Sequence, residues 1–315
     1  MNRYRKRIPG SILIFGAAAH IGAPLARFFD REAPQVRLRL STSNPDRLEG
    51  LRRDFPAAEI VRASYFDISS LEAAVEGMEG VFVLTNSGTN ESQAMVNLVA
   101  VLKKAKAAVH ILRLLGVQPE ANRRRIPESL RRHGLGLPIQ HPIAKSILDE
   151  SNLPVTYLNI GATFMDNFYW MRNGLRGNRL IWPDRLIPFI DPREIAEVAG
   201  RLFISDDHRH IGQFHTLNNG HDILRFSEVA RLMSEVFGRE IVHDGRRDSF
   251  FREYAALGEV RLSYLWDFFQ YEQENEVVWA RNDFVERTLG RKPLTLRLWL
   301  QEHQQALLHD DPTRS

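Results

Sequence analysis

The chain has 315 residues, of which 43% are hydrophobic and 26% charged, with a formal net charge of +3 and no cysteine. That length and apolar content support a full core, as one large domain or as a domain with a substantial appendage; the missing cysteine excludes disulfides, thiolate catalysis and thiolate-held metals. The charge is too small to argue for nucleic acid, no apolar run approaches the roughly 20 residues that span a bilayer, and Met1-Asn2-Arg3-Tyr4-Arg5-Lys6-Arg7 has no apolar stretch behind it, so a cytoplasmic location away from membranes is expected.

The first element is the apolar run Ile12-Leu13-Ile14-Phe15, which ends on Gly16 and passes through Ala17-Ala18-Ala19-His20-Ile21 to Gly22. A strand ending on glycine, a small-residue turn and a second glycine opening an amphipathic helix is how a Rossmann βα unit lays a pyrophosphate on a helix N-terminus. Dinucleotide binding is therefore the first expectation. Ala19 fills the middle position of the glycine pattern, where a methyl narrows the phosphate approach and disfavours φ > 0; taken alone the turn is a weak signal, with tight packing as the lesser alternative.

Strand and helix then alternate. Val36 to Ser41 reads as a strand and Pro45 to Arg53 as a helix opened by Asn44-Pro45, followed by a strand at Glu59 to Arg62 and a helix at Ser70 to Glu76. Gly80 to Thr85 is a strongly apolar strand, Ser92 to Lys106 a helix, Val109 to Leu114 a strand, Ile143 to Glu150 a helix and Val155 to Ile160 a strand. This order predicts a doubly wound parallel α/β sheet of at least six strands. Two basic clusters, in the N-terminal tail and at Arg123-Arg124-Arg125 with Arg131-Arg132, read as solvated surface because aromatics do not interleave them.

The second half differs. Aromatics crowd between Asn167 and Pro188 and between Ser249 and Tyr271, with periodic helices at Pro192 to Phe203, Ser227 to Phe237 and Leu294 to Leu307 and short strands near Gln213 to Leu217 and Glu240 to His243. The crowding fits either the core of a smaller mixed lobe or the lining of a ligand pocket.

Several segments in order resemble NmrA-like proteins, which are atypical short-chain dehydrogenases. They are the turn Gly16 to Gly22, Ser43-Asn44-Pro45-Asp46-Arg47, Val81 to Asn86, Glu150-Ser151-Asn152-Leu153-Pro154, Gly161 to Asn167, Phe189 to Ala196, and Thr288-Leu289-Gly290-Arg291-Lys292-Pro293. The resemblance implies an NAD(P)-binding Rossmann domain over residues 1–165, rejoined by 189–217, and a smaller substrate-binding lobe from 166–188 and 218–315. It also implies that Gly16, Ala18, Ala19, His20, Ile21 and Gly22 cradle the pyrophosphate, that Asp67 and Ile68 face the adenine, and that Thr85, Asn86 and Ser87 border the ribose and nicotinamide. For Asp67 and Ser87 the alternative is helix or turn capping.

In place of the arginine with which NADPH users of the family often clamp the 2′-phosphate there is Ser43, and a frequent lysine four residues on is matched by Arg47. Arg47 with Ser41, Thr42 and Ser43 keeps NADPH favoured, and no acid ends the second strand to bind a free 2′-hydroxyl, though NAD stays open. None of the seven tyrosines is followed four residues on by lysine, so the Tyr-x-x-x-Lys pair of ordinary short-chain dehydrogenases is absent. Registered on Ser151-Asn152-Leu153, Leu137 stands at the tyrosine position, His141 at the lysine position and Lys145 where glutamate is frequent. His141 is then the candidate catalytic group, an imidazole able to give a proton near neutral pH or to bind the nicotinamide ribose hydroxyls, or else a cap of a helix starting after Pro142.

Phe164, Met165, Asn167, Phe168 and Trp170 are the expected substrate contacts. The implied function is an NAD(P)H-dependent reductase of a bulky, apolar, aromatic or conjugated small molecule. The alternatives are an NAD(P) redox sensor that binds a protein partner and, on the same fold, a redox-neutral isomerase or cyclase.

Overall fold

The computed structural model describes residues 5–117, 126–134, 136–274 and 280–309, so Met1 to Tyr4 and the cluster Arg123-Arg124-Arg125 lie outside the described residues. The chain divides into two compact units, and the described parts of the first are 5–117, 136–160 and 192–217. Elements are numbered in chain order through both units.

The first unit contains β1 (Ser11–Phe15), α1 (Gly22–Glu32), β2 (Arg37–Thr42), α2 (Leu48–Asp54), β3 (Glu59–Arg62), α3 (Ile68–Val75), β4 (Gly80–Val83), α4 (Glu91–Ala105), β5 (His110–Leu115), α6 (Leu137–Asp149), β6 (Val155–Ile160), α8 (Pro192–Ile204) and β10 (Phe214–Leu217). Its sheet has seven strands in the order β10-β6-β5-β4-β1-β2-β3, and every neighbouring pair is parallel. Buried parallel strands require continuous apolar runs, and Ile12, Leu13, Ile14, Val81, Phe82 and Val83 are fully buried. The order reverses between β1 and β4, so the carboxyl ends of those strands flank the switch point at which open α/β sheets take ligands.

Two helices depart from their expected bounds by more than two residues. Pro45–Arg47 forms a separate 3-10 turn ahead of α2. Helix α6 begins at Leu137, ahead of both His141 and Pro142. Gly136, at φ +99°, turns the chain into it, and the Gln140 amide donates to Gly136 O at 2.9 Å. His141 therefore lies inside the helix and does not cap it; Pro142 forfeits one backbone bond and is tolerated within the second turn.

The second unit holds the described residues 126–134, 161–191, 218–274 and 280–309. Its elements are α5 (Glu128–Arg131), β7 (Thr163–Phe164), α7 (Arg172–Arg176), β8 (Arg179–Ile181), β9 (Leu186–Ile190), β11 (Ile223–Arg225), α9 (Phe226–Phe237), β12 (Val242–Asp244), α10 (Arg247–Glu253), α11 (Glu259–Glu274), α12 (Phe284–Leu289) and α13 (Leu296–Leu308). The strands form a mixed sheet, β11-β9-β7, and a parallel pair, β12-β8. Residues 126–134, which the sequence places with the first domain, group here; Arg131 pairs with Glu128 and Arg132 with Asp267.

The crowded aromatics make this unit's core. Trp182 contacts the rings of Phe250, Tyr254 and Phe269 at 5.4, 5.4 and 5.0 Å between centroids, and Phe168 stacks on Phe189 at 6.0 Å. Among the described residues no helix is long and apolar enough to cross a membrane.

Candidate functional site

The turn after β1 is held by its own backbone. Gly16 has φ +67°, the Ala17 amide donates to Ser41 O at 3.0 Å, and the Ala19 amide donates to Gly16 O at 2.9 Å. Helix α1 then starts at Gly22 without a side-chain cap; the Ala23 and Leu25 amides donate to Ala19 O and Ile21 O at 3.0 Å and Pro24 has no N–H, which leaves the Gly22 amide at the helix start for an anion. Space is the second constraint. A Cβ on Gly22 would lie 2.2 Å from Gly16 O and 2.8 Å from Ala17 Cα, so only glycine lets the helix close on the turn. Ala19 is not among the positive-φ residues, so the backbone there needs no glycine and its methyl is accommodated half-buried. Ala18 is likewise half-buried, Ile21 is buried and His20 is exposed.

At the end of β2 the Ser41 hydroxyl is buried without a partner among the described residues. Ser43 and Arg47 are exposed, and Asn44 caps the 3-10 turn by accepting from the Asp46 amide at 3.0 Å. An exposed arginine six residues after a strand-end serine has the fork geometry that suits a phosphate ester. Asp67 caps α3, accepting from the Ser70 amide at 3.2 Å, and Ile68 beside it is 42% exposed.

The carboxyl ends of β4 and β5 carry a buried polar cluster. Arg113, in the middle of β5, donates through Nη2 to Glu91 Oε1 at 2.7 Å and to Thr85 Oγ1 at 2.9 Å. The Thr85 hydroxyl in turn donates to Glu91 Oε1. Glu91 opens α4, and its amide donates to the Gln140 side chain at 3.0 Å. Its Oε2, with Nε and Nη1 of Arg113, is buried without a partner among the described residues. Asn86 and Ser87 follow on the exposed loop, where Asn86 Oδ1 accepts from the Gly88 amide at 3.0 Å.

His141 joins this cluster from α6. Its Nδ1 accepts from the Gly116 amide at 2.6 Å, which puts the proton of the neutral ring on Nε2, and Nε2 lies 3.7 Å from Glu91 Oε1. Burial first, and the Arg113 cation second, hold its pKa well below the ordinary histidine value. The expectation of a group titrating near neutrality is thus corrected: the imidazole is neutral at pH 7. Lys145 is no partner to it, because it pairs with Asp149 at 2.6 Å and lies 4.8 Å from the Tyr157 ring centroid. The Tyr65 phenol donates to Leu84 O at 3.0 Å, and burial pushes its pKa far up, so it offers no accessible proton either.

Glu91 and Arg113 were not singled out from the sequence. The available signal was an arginine inside Ile111-Leu112-Arg113-Leu114-Leu115, since a charge in a buried strand requires a buried partner.

In the second unit Met165 and Phe168 are fully buried in the aromatic core, which corrects their expected role as substrate contacts. Phe164 and Asn167 are half-buried, and Trp170 is 51% exposed with Arg261 at 5.9 Å from its ring centroid.

Residues 16–167, which include the glycine turn and the polar cluster, match the model of a family described as NAD(P)H-binding. These residues belong to that family. The chain is also 24% identical over 306 residues, 94% of it and 98% of the relative, to a (4-alkanoyl-5-oxo-2,5-dihydrofuran-3-yl)methyl phosphate reductase of Streptomyces griseus. Among solved structures it is similar to an NADPH-dependent quinone oxidoreductase from Escherichia coli complexed with NADPH, with a TM-score of 0.77 and 17% identity over 93% of this chain and 99% of that one. A mutant NmrA structure matches with a TM-score of 0.70 and 16% identity over 95% of each chain. At these identities the structural likeness is one of fold, and it includes the NmrA fold that the sequence resembles.

Proposed function

We propose that this NAD(P)H-binding protein is an NADPH-dependent reductase of a bulky, apolar, conjugated or aromatic small molecule. The observation that carries the reading is the turn at Gly16 and Gly22, closed until a Cβ at position 22 has no room, at the switch point of an all-parallel sheet. NADPH, when bound, supplies a hydride from its nicotinamide. The chain's own residues do the rest. The turn amides hold the pyrophosphate, Ser41, Ser43 and Arg47 hold the 2′-phosphate, and Thr85 anchors the nicotinamide half.

Neither Thr85 nor His141 serves as a proton donor in this reading, because the Thr85 proton is committed to Glu91 and the imidazole is neutral and buried. That favours acceptors whose electrophilic carbon takes hydride directly and whose product takes its proton from water. The relatives support this class: one is named for a 5-oxo-2,5-dihydrofuran, an unsaturated lactone, and another for quinones. Phe164, Asn167 and Trp170 are proposed to contact the substrate. The test follows nicotinamide absorbance while the protein is mixed with NADPH and a panel of quinones and conjugated lactones. Consumption with a member of the panel is expected; tight NADPH binding without consumption by any acceptor would overturn the reductase in favour of a redox sensor.

A further inference from the structure

Thr85 sits at a junction of fixed hydrogen-bond polarity. A hydroxyl carries one proton and two acceptor lone pairs, a carboxylate only accepts, and a guanidinium only donates. The Thr85 proton is directed at Glu91 Oε1, and Arg113 Nη2, 2.9 Å away, occupies one of its lone pairs. Both partners are locked, since the Arg113 and Glu91 side chains are 0% and 1% exposed and bond each other at 2.7 Å. Thr85 itself is only half-buried. Its hydroxyl therefore has one place left, and it is an acceptor.

We infer that the Glu91–Arg113 pair holds the Thr85 hydroxyl as an acceptor-only contact for a hydrogen-bond donor on the nicotinamide half of the bound dinucleotide. The inference rests on the NADPH reading above. The nicotinamide half offers two such donors, a ribose hydroxyl and the carboxamide N–H. The same polarity rejects a phosphate or carbonyl oxygen at this point, because neither brings a proton. Glu91 and Arg113 act through Thr85, which makes them positioning residues.

The test compares wild type, Thr85→Val and Thr85→Ser in calorimetric titrations with NADPH and with 2′,5′-ADP, which lacks the nicotinamide half. Thr85→Val is expected to weaken NADPH by about 10-fold while leaving 2′,5′-ADP within about twofold, and Thr85→Ser to restore NADPH affinity. Thr85→Ala is read the same way should the valine variant not fold. The 3-acetylpyridine analogue of NADP, which replaces the amide nitrogen by a methyl group, separates the two donors: the threonine effect disappears with this analogue if the carboxamide is the donor and persists if a ribose hydroxyl is. An unchanged NADPH affinity in Thr85→Val, or equal losses for NADPH and 2′,5′-ADP, would overturn the inference and leave the cofactor reading standing. Failure of the wild-type protein to bind 2′,5′-ADP and NADPH would instead overturn the cofactor reading, and the inference with it.

Discussion

Arg113 and Glu91 meet at 2.7 Å with side chains 0% and 1% exposed, one in the middle of β5 and the other at the first position of α4. A pair so placed is held where water cannot replace either partner. Arg113→Met should therefore strand a buried carboxylate and lower unfolding free energy by about 3–5 kcal/mol, whereas Arg113→Met combined with Glu91→Leu should recover much of that loss. Denaturant melts of the two variants and the wild type check this; a single variant as stable as wild type would show that water reaches the pair.

The phosphate turn depends on a missing Cβ. Gly22→Ala places a methyl 2.2 Å from Gly16 O, a backbone atom that cannot step aside without reopening the turn. Its cost in stability is expected at about 1–3 kcal/mol, with NADPH affinity reduced well beyond that of a matched Ala19→Gly control. Melts paired with titrations decide the matter, and an alanine variant that binds NADPH normally would remove the turn from the site.

Much of the fold follows directly from residue patterns. The central strands β1 and β4 of the first unit are runs such as Ile12 to Phe15 and Val81 to Val83, because a parallel strand buried on both faces is nearly continuous in apolar residues. Helix α6 was harder to place: Pro142 argues for a start after it, but Gly136 and the Gly116 amide bonded to His141 Nδ1 fix the earlier start through contacts remote in sequence. The site was legible at its phosphate end, where glycine spacing is local. It was not at the Arg113 cluster, which joins β4, α4, β5 and α6 and has no sequence spacing of its own.

Acid should weaken the first unit. His110, bonded to Thr156 Oγ1 at 3.0 Å, has its pKa pushed down to about 3 by burial and then by Lys6 and His210; His141, facing Arg113 and Glu91, is also lowered. Both histidines gain a proton more readily unfolded than folded. Stability is thus full above about pH 6.5 and falls as pH drops toward the folded values, by about 1.4 kcal/mol per pH unit for each histidine. Denaturation midpoints between pH 7 and pH 5 measure the effect; a flat profile would contradict the buried neutral state.

The aromatics of the second unit divide by burial. Phe168 touches Phe189, Phe226 and Trp299 within the core, so Phe168→Ala should cost about 3–5 kcal/mol. Trp170 is half-exposed, and Trp170→Ala should stay within about 0.5 kcal/mol of wild type while raising KM for an accepted quinone. Melts and steady-state rates separate the two, and a stable, active Phe168→Ala would show that the ring is not core.

Calorimetric titration of the wild-type chain with NADPH and, separately, NADH tests the central claim most directly. Saturable binding of one NADPH per chain, tighter than NADH and weakened by Arg47→Ala, is the predicted result. Absence of binding by either dinucleotide, or an NADH complex much tighter than the NADPH complex, would contradict the account.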